Sequence, residues 1–421
     1  MIRKSDRPQS ATNFTLTLFA MSLGLGLVWV DYAIPYSPLI PCVGIVIVIA
    51  SAEWLWPNLH APSTGALSRK ALRPLNLRRA GIRICGVAAT LGLLALAYWL
   101  FPEYSGNFYD PYWQFLRTIA PVALAVPFYL LWADMRIADP HDEYYAFGTL
   151  VAGQWSHADW RLIRRHLLGW TVKGFFLPLM TVYLGSEIQS LHGALGVVAS
   201  DHGIMPIYQV FYHLSYTVDL MFCVVGYSAT IRLFDSHIRS VEPTAGGWII
   251  ALICYQPFYS VIGRFYLQYD DNLYWDNWLQ DWPAVRVGWA AVIIVLTVIY
   301  ALCTVSFGLR FSNLTHRGII TGGPYRFTKH PAYLAKNLSW WLISVPFISE
   351  SGWSAALRNC CLLGLLNLVY YTRARTEERH LSGDPTYVAY ALWISEHGLL
   401  RRLGRVFPFA RYRAPTRDDR G

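Results

Sequence analysis

Ten stretches of this 421-residue chain are apolar over nearly the length needed to cross a bilayer, and no other feature restricts its fold so strongly. A spanning helix needs about 20 mostly apolar residues. The runs lie at about 14–30, 38–55, 82–101, 113–132, 171–188, 206–230, 247–265, 286–308, 331–348 and 353–371. Hydrocarbon offers no partner to backbone N–H and C=O groups, so each run is expected to be a helix, which pairs those groups internally. Composition agrees: 54% of residues are hydrophobic and 14% charged, where soluble domains have about a quarter charged. The expected fold is an all-α polytopic membrane protein with about ten transmembrane helices and a cytoplasmic C-terminal cofactor-binding region.

Cations fall on alternate connections. Arg3, Lys4 and Arg7 precede the first run, Arg69, Lys70, Arg73, Arg78, Arg79 and Arg83 follow the second, and Arg136, Arg161, Arg164, Arg165 and Lys173 follow the fourth. Arg232 and Arg239 come after the sixth run, and Arg310, Arg317, Arg326, Lys329 and Lys336 surround the segment joining the eighth to the ninth. Ten more arginines follow Tyr371. The connections near 31–37, 102–112, 186–205, 266–283 and 349–352 carry no Lys or Arg. The positive-inside rule then predicts cytoplasmic termini and an integral, multi-pass protein, expected in a bacterial inner membrane. The net charge of +9 belongs to one membrane face and points to anionic headgroups rather than nucleic acid.

The first run lacks a small-residue cleavage site and is followed by others, so it is expected to remain as the first helix. All seven cysteines fall within runs and none shows C-x-x-C spacing, so neither a disulfide framework nor a metal site is expected. Trp160–Leu168 reads as an interfacial helix. Glu53, Lys173, Glu187 and Arg264 lie near run ends and are expected to snorkel to the interface. His213 and Asp219, six residues apart, do not share a helix face closely and are expected to bond to neighbouring helices. Asp139, His141, Asp142 and Glu143 have metal-capable chemistry, but they are too bunched for a good ligand set. The loop QYDDNLYWDNWLQDW is read as solvated, with interfacial tryptophans.

Residues 1–284 contain no dense motif and form an N-terminal transmembrane region of no evident role; residues 285–421 carry the chemistry. There, Thr321-Gly322-Gly323-Pro324-Tyr325-Arg326-Phe327-Thr328-Lys329-His330-Pro331-Ala332-Tyr333 precedes the ninth run, and Arg373-Ala374-Arg375-Thr376-Glu377-Glu378-Arg379-His380-Leu381 follows the tenth. The two runs, joined by SESG, form a hairpin that returns the chain to the face it left, so the two segments meet. Gly322 and Gly323 allow close backbone approach. Pro331 suits a first helical turn, which puts His330 at a helix N-terminus, a place that attracts carboxylates. Glu377 and Glu378 offer acceptors to an ammonium or ribose, and Tyr325 and Tyr333 offer flat faces. These residue types suit a zwitterionic nucleotide-like ligand such as S-adenosylmethionine.

The pattern G-P-Y-x(4)-H-P-x-Y, then a hairpin, then R-x(3)-E-E-x(2)-L and Y-x(2)-Y at Tyr387 and Tyr390, resembles the isoprenylcysteine carboxyl methyltransferase family and related membrane phospholipid methyltransferases over about 310–400. The resemblance implies S-adenosylmethionine as cofactor, contacted by Arg317, Gly318, Ile319, Ile320, Tyr325, His330, Pro331, Ala332, Tyr333 and Glu377. It also implies a substrate-facing catalytic Arg373, no metal, and a lipophilic acid or lipid as substrate. Lys329 stands where arginine usually precedes His-Pro, and Leu334, Ala335 and Lys336 stand where a glycine is common. The alternatives are a phospholipid N-methyltransferase, an NADPH-dependent membrane reductase of sterol-reductase type, and a transporter, although the chain shows no inverted repeat. Neither the methyl acceptor nor the oligomeric state is specified.

Overall fold

The computed structural model describes residues 6–33, 39–61, 67–68, 72–402 and 412. Arg3, Lys4, Arg69, Lys70 and almost all of the basic tail beyond Arg402 lie outside the described residues. The chain is an all-α membrane protein. Its helices are α1 (Phe14–Ala33), α2 (Leu39–Leu55), α3 (Leu77–Leu100), α4 (Asp110–Ile119), α5 (Val126–Asp134), α6 (Glu143–Val151), α7 (Trp160–Val198) and α8 (Ile204–Ser228). They continue as α9 (Ala245–Leu252), α10 (Phe258–Phe265), α11 (Trp275–Trp278), α12 (Pro283–Val305), α13 (Pro331–Ser344), α14 (Trp353–Leu381) and α15 (Pro385–His397). The strands β1 (Ser240–Val241) and β2 (Thr315–His316) pair antiparallel, Ser240 opposite His316.

Five segments are long and apolar enough to cross a membrane: Leu77–Leu100, Asn107–Asp134, Trp160–Val198, Ile204–Ser228 and Pro283–Val305. Phe14–Val30 and Leu39–Leu55 are shorter apolar helices. The other three expected spans differ from regular crossings. The seventh run is two eight-residue helices, α9 and α10, with Pro257 immediately before the second. The ninth is only the 14 residues of α13, and α14 runs 29 residues with a charged C-terminal end.

Other expectations also need correction. Trp160–Leu168 is not a separate interfacial helix but the start of the 39-residue α7. Asp159 caps that helix by accepting from Arg161 N and Leu162 N, and nothing in the following residues breaks it. Glu53 does not snorkel: it is buried and takes a two-pronged bond from Arg310, at 2.8 and 3.1 Å. Lys173 is likewise buried, its ammonium 3.4 Å from the centre of the Trp170 ring. His213 pairs with Glu187 on α7 at 2.8 Å, while Asp219 accepts from Thr304 on α12, so the two bond to different neighbouring helices. In the acidic aromatic loop, Trp275 is buried, Asp276 accepts from Arg286, and Asp271 accepts from Asn359.

The main apolar core is shared by α1, α2, α4, α7, α8 and α12, with Ile45, Phe176, Leu179, Met221, Phe222 and Val305 at its centre. It therefore crosses residue 284 and packs α12, which leads into the motif, against helices from the first two thirds of the chain. A smaller core of Ile319, Tyr387, Tyr390, Ala391 and Ile394 seats α15 on the motif segment.

Candidate functional site

The site grows from the segment 309–330, which has little regular structure of its own and is held by its neighbours. Arg317 is buried and donates to four backbone carbonyls: Ser236 at 2.6 Å, Gly226 and Phe311 at 2.7 Å, and Leu309 at 2.8 Å. Its guanidinium is thereby used to tie this segment to the end of α8, so what the residue turns toward a ligand is its backbone and stem. The β1–β2 pairing extends through Arg239 N to His316 O and Glu242 N to Leu314 O, both 2.8 Å. On the other side the N-terminal arm docks: Ala11 N donates to Ile319 O at 2.9 Å and the Thr321 hydroxyl to Pro8 O at 2.8 Å. Gly318 makes this approach possible. Its φ is +125°, and a Cβ there would stand 2.6 Å from that of Ala11. Gly323, at φ +54°, packs against Phe14 and Ser306; neither it nor Gly322 lines the cavity, so the expected role of this pair beside a ligand is not seen.

Pro331 opens α13 with His330 as its N-cap residue. The cap has no side-chain bond, and the first turn leaves the N–H groups of Ala332 and Tyr333 without intrahelical acceptors. The returning α14 brings its last turns beside this helix end. The segment, the helix end and α14 enclose one cavity. Of the expected site residues, Arg317, Gly318, Ile319, Ile320, Tyr325, His330, Ala332, Tyr333, Arg373 and Glu377 all line it, while Pro331 sits buried behind them.

The two adjacent glutamates do different work. Glu377 lines the cavity, accepts from the Tyr333 hydroxyl, and lies 3.4 Å from Arg373 Nε, its i,i+4 neighbour. Glu378 is buried on the other side, bonded by Lys329, by His330 Nε2 at 3.1 Å and by Arg375 at 2.7 Å. Burial raises the Glu378 carboxyl, but the hydrogen bond and charge of His330, and then those of Lys329, outweigh it and hold the group at about 2. Glu378 thus clamps the first motif to the second.

Arg373 is buried with its Nη2 on Asn313 Oδ1 at 2.6 Å and near the Tyr255 hydroxyl at 3.5 Å. The Tyr255 and Tyr333 rings flank its guanidinium at 5.4 and 5.3 Å. Sequence reading missed Tyr255, Asn313, Tyr300 and Tyr370, which also line the cavity. The one available signal was Pro257 interrupting an apolar run, because irregular backbone at membrane depth usually borders a cavity. Two further polar atoms in the lining, the Tyr387 hydroxyl and Thr315 Oγ1, are buried with no partner among the described residues. Buried polar groups are normally satisfied, so these two orphans and the open helix end fit a polar, nucleoside-bearing ligand.

A helical membrane scaffold thus carries a cavity lined by residues of both motifs. Residues 287–383, under a quarter of the chain, match the model of the isoprenylcysteine carboxyl methyltransferase (ICMT) family. The matched region begins in α12 and ends just past α14, so it contains both halves of the site. It supports an integral-membrane methyltransferase in general terms. No curated protein and no solved structure matches the chain.

Proposed function

We propose that this protein is an S-adenosylmethionine-dependent methyltransferase that esterifies the carboxylate of a hydrophobic acid reaching it from the bilayer. The observation that carries this reading is the pairing of Glu377 and Arg373 on one face of α14, beside the open N-terminus of α13. The cofactor supplies a methyl group already activated by its sulfonium. Around it, the Ala332 and Tyr333 N–H groups would receive its carboxylate. Glu377 would hold its ammonium. Tyr325 and the orphaned Tyr387 hydroxyl would meet the nucleoside, with the backbone of 317–320 alongside.

Arg373 is the catalytic residue in this reading. Its fork orients a carboxylate oxygen toward the methyl, and alignment at about 3–3.5 Å is most of what such a transfer requires. A carboxylate is ready at pH 7, whereas an amine acceptor needs a base tuned near neutrality. Burial pushes the cavity imidazoles His316 and His380 below their ordinary value. The protein is further proposed to cross a bacterial inner membrane ten times, with both termini and both motifs cytoplasmic.

Calorimetry with S-adenosylhomocysteine and with NADPH, followed by mass spectrometry of lipophilic acids and lipids incubated with methyl-labelled cofactor, tests the reading. Binding of the first ligand alone and one labelled methyl on a carboxylate are expected. NADPH binding or an N-methylated lipid overturns it. Cysteines placed at Thr328 and Thr376 are expected to resist impermeant labels applied outside, and their labelling defeats the topology.

A further inference from the structure

We infer that Lys336 selects the acceptor, by meeting the anionic group of a lipophilic anion at the inner end of the cavity. This rests on the methyltransferase reading for the identity of the ligand as acceptor, and on the structure for its charge. Lys336 lies three residues after Tyr333 on α13, about one helical turn further from the open helix end. It lines the cavity as Tyr333 does. Its ammonium sits among three rings, 5.1 Å from the centre of Tyr300, 5.3 Å from Trp340 and 5.9 Å from Tyr370. Such faces stabilise a cation without cancelling its charge.

Three other cations of the lining have acids against them, and Arg317 spends its guanidinium on backbone carbonyls. Arg310 has Glu53, Lys329 has Glu378, and Arg373 has Glu377. Lys336 has no described carboxylate within the 4.0 Å of an ion pair. Asp219 attracts it from further off, held in place by the Thr304 hydroxyl, and Asp219 is not part of the lining. Within the lining itself, Arg373 and Lys336 face the single carboxylate of Glu377. A cation at this depth is costly unless something meets it. An anionic headgroup does; a neutral one leaves the charge uncompensated, and a protonated amine is repelled. Carboxylate and phosphate share this chemistry. The position also departs from the resemblance, since Lys336 falls in the stretch where related proteins commonly carry glycine.

The test uses the full-length protein in detergent with three tritiated probes that share one tail: oleate, oleyl phosphate and oleylamine. Direct binding is measured beside S-adenosylhomocysteine affinity. Oleate is expected to bind at least about tenfold more tightly than oleylamine. Lys336→Met is expected to remove about that factor for oleate, with homocysteine-ligand affinity within about twofold as proof that the site is folded. Lys336→Arg is expected to recover most of the loss. Preference for oleyl phosphate over oleate keeps the anion anchor and moves the acceptor from carboxylate to phosphate. Equal binding of oleylamine and oleate, or undiminished oleate binding by Lys336→Met, overturns the inference. Failure of wild-type protein to bind S-adenosylhomocysteine instead overturns the methyltransferase reading, since anion selectivity is measured without it.

Discussion

Two parts of this molecule are built from the same arginines and acids, yet they differ in what they leave open. Around Asp134 the charges are closed. Asp134 is fully buried and receives Arg79 at 2.8 and 2.6 Å and Arg83 at 3.2 Å. Arg83 continues to the Pro140 carbonyl at 2.7 Å and to Asp142 at 3.2 Å, and Arg165 bonds Glu143 at 2.8 Å. This is where Asp142 and Glu143, which looked metal-capable, spend their charge. Every acid there faces an arginine, and the network joins α3, α5, α6 and α7. In the cavity, by contrast, Glu377 lines open space, two hydroxyls have no partner among the described residues, and Lys336 meets aromatic faces with no carboxylate of the lining in ion-pair range. Charge density alone does not distinguish the two regions. Whether the acids are closed off by arginines or open onto a cavity does: the first arrangement holds helices together, although Arg83 Nε and Arg165 Nε lack described partners, and the second leaves room for a ligand.

The sharpest way to break this contrast is to remove one member of each region. Asp134→Ala removes the buried carboxylate that Arg79 and Arg83 share and is expected to cost about 3–5 kcal/mol of stability, read as a large fall in detergent melting temperature. S-adenosylhomocysteine affinity of the protein that remains folded should not change; a selective loss of affinity would show the closed network belongs to the site. Glu377→Ala is expected to do the reverse, weakening that ligand by about 1.5–3 kcal/mol, roughly 10- to 150-fold, with a smaller fall in melting than Asp134→Ala because Arg373 keeps Asn313. If calorimetry finds equal affinity, Glu377 is not a cofactor contact. Arg373→Lys keeps the charge and loses the fork, so turnover should fall by about tenfold or more while cofactor affinity holds; wild-type turnover removes Arg373 from the mechanism.

The smallest effect concerns the clamp between the motifs. Glu378 is held at about 2, below its ordinary 4.5. Its carboxylate therefore stabilises the fold fully above about pH 4.5, and this contribution is lost as pH falls toward 2. Glu378→Gln should flatten the acid side of the stability curve over that window. Parallel curves for the two proteins would show that His330 and Lys329 do not stabilise the carboxylate.

Much of the fold was legible because apolar length is a local property. Each of the ten runs overlaps a helix, though the seventh is split and the ninth is short, and α13 and α14 form a hairpin that brings the motifs together. The breaks were less legible. Pro257 lies between the two halves of one run and Pro121 lies in the short 3-10 stretch between α4 and α5, but a proline shows only that a helix is disturbed, not how the chain resumes. The site was readable where its residues are close in sequence. Gly318 to Ile320, Tyr325, His330 and Glu377 were nameable in advance, yet the opposite orientations of Glu377 and Glu378 were not, since adjacent residues on a helix point about 100° apart and either could have faced inward.

By itself, then, the sequence determined the helical membrane class, the place of the two motifs and the nearness of Arg373 to Glu377, because spacing of three or four residues on a helix is enough to set a shared face. Only the tertiary structure decided which charges are closed and which are open. Glu53 meets Arg310 across 257 residues, Arg373 meets Asn313 across 60, and Lys336 gathers its rings from α12, α13 and α14. Such contacts follow from how the helices pack, and packing depends on the fit of whole surfaces that no local pattern encodes.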